Sequence, residues 1–230
     1  FKNHAFIVSE ADGHGLQVFD LTKLRTATSN QVFKADARIT DFGNAHNIAI
    51  NEDTGFAYVI GAQLFDGGPI FIDINEPKSP KVVGGYEADS YTHDAQIVTY
   101  QGPDTDYVGR EIFIGSNSVG GENNQVVFVD VTDKKNPVKI STFTYSNGVY
   151  THQAWLTEDQ RYLIMGDEQD EIMRGIKTHS RLIAVSNLDA PVLHVDYFGP
   201  TAAIDHNGYV KGKTYYIANY TSGMRSVDIS

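Results

Sequence analysis

Cysteine is absent from this 230-residue chain. That excludes disulfide staples, thiolate metal sites and cysteine nucleophiles. Long apolar runs are also missing: nothing approaches the ~18 residues a membrane helix needs, and no secretory leader is legible. Basic residues are the minority, 18 against 29 acidic, for a formal charge of −11. A phosphate backbone is a poor partner for such a chain, so nucleic acid is not expected. There is no G-x-S-x-G elbow and no P-loop. Pieces such as Gly13-His-Gly15 sit in strand connections and open no helix, so no nucleotide cofactor is expected.

Strand signals fill the chain. Short runs rich in Val, Ile, Phe and Tyr alternate with Gly, Asn, Asp and Pro clusters. Examples are AFIVSE (5–10), FAYVIG (56–61), EIFIGS (111–116), QVVFVDV (125–131) and RYLIMG (161–166). No long segment keeps a 3.6-residue period. The best helical stretch is 21–28.

The strands recur in three series. One is led by His: HNIAIN from His46, HDAQIV from His93, HQAWLT from His152 and HNGYVK from His206. A second ends in a small or polar residue, placing Glu10, Asn117, Asp167, Glu168 and Asn219. A third closes on Asp20, Asp73, Asp130 and Asp228, with Ala184 standing where a fifth Asp is expected. Each such Asp is positioned to accept amide hydrogens from the turn after it. Four strands per roughly fifty residues is the unit of a β-propeller blade. The expected fold is all-β, a propeller of four-stranded antiparallel blades. About five are represented, near 1–44, 45–90, 91–149, 150–204 and 205–230. The first lacks its inner strand and the last its outer one. The chain, which begins and ends inside strand-like segments, reads as a single propeller domain cut from a larger propeller.

Antiparallel order puts the start of the first strand and the end of the second on one face. His46, His93, His152 and His206 are therefore expected to gather near the channel mouth, beside the long acidic loops. Imidazoles suit a divalent transition metal. Asp94, Asp205 and Glu10 are candidate carboxylate ligands or ring-orienting groups, and Asp167 and Glu168 join the metal candidates. Equally, histidines at strand heads can bond a neighbouring blade's backbone and close the ring. The run Gly166-Asp-Glu-Gln-Asp-Glu171 offers oxygens for calcium without the order of an EF-hand loop. Trp155 and Tyr209 are expected to pack between blades.

Several stretches resemble the choice-of-anchor B family of LVIVD-repeat propellers: KNHAFIVSEADGHGLQVFDLT (2–22), YTHDAQIV (91–98), YTHQAWLTED (150–159), GDEQDE (166–171) and NYTSGMRSVDIS (219–230). That resemblance implies a longer exported parent at the cell surface, anchored at its C-terminus, and supplies no catalytic residues. Two functions follow as expectations. One is an exported binding module with a ligand or metal site on its loop-rich face and an unknown surface partner. The other is a metal-dependent enzyme with a His-lined centre.

Overall fold

The computed structural model describes residues 1–119 and 122–230. Among these residues eighteen strands form five antiparallel sheets, each a simple meander. The first contains β1 (His4–Ile7), β2 (Leu16–Asp20) and β3 (Ala37–Ile39). The second contains β4 (Asn47–Asn51), β5 (Phe56–Ile60), β6 (Ile70–Asp73) and β7 (Lys81–Gly85). The third contains β8 (Thr92–Thr99), β9 (Glu111–Val119), β10 (Glu122–Asp130) and β11 (Val138–Thr144). The fourth contains β12 (Thr151–Leu156), β13 (Tyr162–Asp167), β14 (His179–Ala184) and β15 (Val192–Phe198). The fifth contains β16 (Gly208–Lys211), β17 (Thr214–Ala218) and β18 (Met224–Asp228). This is the blade pattern of a β-propeller, with three-stranded first and last sheets. Among the described residues no helix is long and apolar enough to cross a membrane.

Helix is sparse. The stretch read as helical forms a 3-10 turn at Leu21–Thr26. One α-helix, α1 (Asp170–Arg174), lies inside the acidic run and was not anticipated. It is little more than one turn long, too short to show a 3.6-residue period.

The chain forms two compact units, Phe1–Tyr91 and Thr92–Ser230. In the first, Leu16, Val18, Ile39, Val59, Ile70 and Ile72 build one core. In the second, alternate residues of the middle strands point one way: Ile112 and Ile114, Val126 and Phe128, Leu163 and Met165, Ile183 and Val185. The intervening Ile164 packs the opposite way, against Tyr215 and Ile217 of the fifth sheet. A middle strand of the fourth sheet thus buries both faces, which is why it reads as a continuous apolar run.

The closing aspartates do what their position requires. Oδ1 of Asp20, Asp73, Asp130 and Asp228 accepts the amide hydrogen of Thr22, Asn75, Thr132 and Ser230, at 3.0, 3.0, 3.0 and 2.9 Å. Lys78 then pairs with Asp20, and Arg110 with Asp130. The Lys78 ammonium and the Thr22 hydrogen bonds hold the Asp20 carboxyl well below the usual range.

Polar residues on the inner strands bind adjacent sheets of the second unit. Gln96 Oε1 accepts from the Leu156 amide at 2.8 Å, and Gln153 Oε1 from the Gly208 amide at 2.6 Å. Asn207 donates to Asp94 Oδ2 at 3.1 Å. Trp155 meets Tyr209 edge-on, ring centroids 4.8 Å apart. The two glutamines thereby satisfy backbone amides of the neighbouring sheet.

Candidate metal centre

In the second unit, His93 of β8, His152 of β12 and His206, two residues before β16, form a stair. The His93 and His152 rings lie 4.4 Å apart, and those of His152 and His206 4.2 Å apart. Tyr150 caps one end against His93 at 5.1 Å, and Tyr220 the other against His206 at 5.2 Å. Each histidine occupies the same place in its repeat, so neighbouring sheets bring the rings together without any contiguous motif.

Glu168, just past the end of β13, faces two of them. His152 Nε2 is 3.7 Å from Glu168 Oε2, and His206 Nε2 is 3.7 Å from Oε1. Among the described residues this is the one group of three whose ligand atoms all fall within 4.8 Å. The two histidine–carboxylate edges are a few tenths of an ångström longer than the ~3.4 Å that metal bonds of ~2.1 Å in a tetrahedron give. His152 is buried, whereas the His206 side chain is 37% exposed, so one edge opens to solvent. Tyr220 donates to Glu168 Oε1 at 2.6 Å. That bond, with burial behind it, pushes the Tyr220 phenol up to about 12. The donor set of two imidazoles and one carboxylate suits zinc, iron or manganese.

The other candidate residues are placed as follows. His93 is buried, its Nδ1 3.0 Å from the His152 carbonyl oxygen. Asp94 accepts from Asn207 and from the following Ala95 amide, at 3.1 and 2.6 Å. Asp167 is fully buried and accepts from the Val149 and Tyr150 amides and the Tyr145 hydroxyl, at 2.8, 2.7 and 2.9 Å. His46 lies in the first unit, with Nδ1 2.7 Å from Glu10 Oε1.

The acidic run does not converge on one point. Asp170 Oδ2 meets His179 Nδ1 at 3.0 Å and Arg181 at 3.4 Å. Glu171 Oε1 accepts the Asp205 amide hydrogen at 3.1 Å. Burial raises the Glu171 carboxyl to about 7, with the Asp170 charge adding to it. Asp205 is raised well above its usual range by burial first, then by Glu171 and Asp170. Tyr220, His179 and Arg181 were not singled out from the sequence. Tyr220 alone carries a signal: it directly follows Asn219, a marked end of a second strand.

The fold and this donor set define a β-propeller with a two-histidine, one-carboxylate group. No family model and no curated protein matches the chain. Similar solved structures exist. One is a "putative 6-phosphogluconolactonase" from Bacteroides uniformis, at TM-score 0.66 and 17% identity over 99% of this chain. Another is a protein from Lactobacillus plantarum, at TM-score 0.60 and 13% identity over 98% of this chain. A third is a complex of KlAtg21 with the coiled-coil of AgAtg16, at TM-score 0.61 and 11% identity over 99% of this chain. The chain spans 62% to 64% of the length of these structures. The resemblance to the choice-of-anchor B family is overturned: no family model matches the chain, and one of the similar solved structures is described as a putative 6-phosphogluconolactonase. The quoted stretches record the blade repeat, and a repeat dictated by blade geometry does not mark a lineage.

Proposed function

We propose that this β-propeller is a binding module that holds a divalent transition metal between His152, His206 and Glu168. The observation that carries the reading is the convergence of two imidazole Nε2 atoms on one carboxylate from neighbouring sheets. Tyr220 donates to Oε1, the oxygen that faces His206, while Oε2 faces His152, so Glu168 would turn to present one oxygen to the metal. The half-exposed His206 edge leaves room for an exogenous ligand on the metal. An exported location is part of the same proposal.

Titration calorimetry with zinc chloride tests this. One equivalent is expected to bind wild type, with the step abolished in His152→Ala and weakened at least about tenfold in His206→Ala. Equal binding by all three proteins would remove the site.

A second reading, a metal-dependent lactone hydrolase, is favoured by the likeness to a protein described as a 6-phosphogluconolactonase. There the metal would polarise the ester carbonyl. Hydrolysis of 6-phosphogluconolactone that requires added zinc and His206 would favour it over the binding module.

A further inference from the structure

A second site shares no residue with the histidine stair. A cleft of about 470 Å³ opens between β11 and the pair β14 and β15. Its floor is charged and buried: Asp170 is 0% exposed, Arg181 5% and His179 6%. His179 bridges two carboxylates, with Nδ1 3.0 Å from Asp170 and Nε2 2.9 Å from Asp196. Arg181 lies over the Tyr145 ring, 4.4 Å from its centroid. The rim is apolar, with Leu193 and Phe198 45% and 52% exposed.

We propose that this cleft binds a saccharide. Its volume falls within the range of small-ligand pockets and suits one or two pyranose rings. Asp170 Oδ1 is wholly buried with no hydrogen-bond partner among the described residues, so it adds negative charge beneath the floor and no direct ligand contact. Asp196 uses Oδ1 on His179, and its other oxygen has no protein partner among the described residues. Arg174, also lining the cleft, makes no ion pair or hydrogen bond among the described residues. An unspent acceptor on Asp196 and an unspent donor on Arg174 within one small cleft match hydroxyl groups, which both give and accept.

Phe198 supplies the platform. Its ring stacks parallel on His179, at 4.3 Å and 9°, so one face is fixed. The ring is half exposed, so its other face can take the C–H face of a sugar. Other ligand classes fit less well. Arg181 already occupies the Tyr145 face, which disfavours an organic cation. Asp170 and Asp196 disfavour a simple anion, and the charged floor disfavours an apolar chain. The Asp170–His179–Asp196 chain holds both carboxylates at a set spacing before any ligand arrives.

Saturation-transfer NMR with glucose, galactose, mannose, N-acetylglucosamine and cellobiose, each at about 5 mM, tests the proposal. At least one sugar is expected to receive saturation through its ring C–H protons. Calorimetry with that sugar should show at least about tenfold weaker binding in Phe198→Ala and in Asp196→Ala. Both side chains are substantially exposed, so both variants should fold, which circular dichroism checks. His206→Ala should bind the sugar as wild type does, which separates this site from the metal centre. No transfer to any of the five sugars, or transfer that survives both cleft variants, would overturn the proposal. A loss in His206→Ala equal to that in Phe198→Ala would also overturn it, since the sugar would then sit on the metal face.

Discussion

Replacing Glu171 with Gln keeps the oxygen that the Asp205 amide uses and removes a charge that burial penalises. Burial and the Asp170 charge move the Glu171 carboxyl from 4.5 to about 7. The folded chain therefore binds this proton more tightly than the unfolded chain. Stability from this group is full below about pH 4.5 and is lost as the pH rises to about 7. The gap corresponds to about 3 kcal/mol, and the residue is only 4% exposed, so solvent screens little of it. Between pH 5 and pH 8 wild type should lose about 2 to 3 kcal/mol that Glu171→Gln retains. For a chain of this size that is a Tm difference of roughly 5 to 10 °C at pH 8, and a small one at pH 5. Fluorescence of Trp155, the single tryptophan, follows the transition in the unit that contains Glu171. The same Tm difference at both pH values, or a less stable variant at pH 8, would refute the reasoning.

Other perturbations test the blade repeat. Asp130→Ala removes the Thr132 cap and the Arg110 partner, and should cost about 1 to 3 kcal/mol by urea denaturation. Ala184→Asp restores the residue missing from the fourth sheet and offers a cap to the Ser186 amide. It should gain about 0.5 to 1 kcal/mol in the same assay. Gln153→Ala strands the buried Gly208 amide hydrogen and should cost about 1 to 3 kcal/mol, with faster hydrogen exchange at Gly208. Trp155→Ala empties an aromatic contact between two sheets and should cost about 3 kcal/mol by calorimetry.

Much of the fold was legible because blade geometry imposes residue types at fixed places. Asp20, Asp73, Asp130 and Asp228 mark the same turn, so their recurrence announced both the period and the local bond. The histidines at 93, 152 and 206 were legible as a set for the same reason. Which of them would share a carboxylate was not legible, because Glu168 meets His206 from a different sheet. His93, spaced like the others, has its Nδ1 against a neighbouring carbonyl. The Asp170–His179–Asp196 chain was hidden too. Its members sit in a short helix and on two strands, and nothing in their spacing joins them before β14 and β15 pair. The acidic run read as one candidate cation loop. One turn of helix sends Asp170 and Glu171 to different partners than Asp167 and Glu168, and that divergence is invisible in the string.

The central claim is a metal held between two sheets by His152, His206 and Glu168. Anomalous diffraction from crystals soaked in zinc measures it directly. The account predicts a peak about 2.0 to 2.2 Å from both Nε2 atoms and from one Glu168 oxygen. Zinc bound only elsewhere, at His46 and Glu10 or along the acidic helix, would contradict it, as would no peak at all in crystals soaked at saturating zinc.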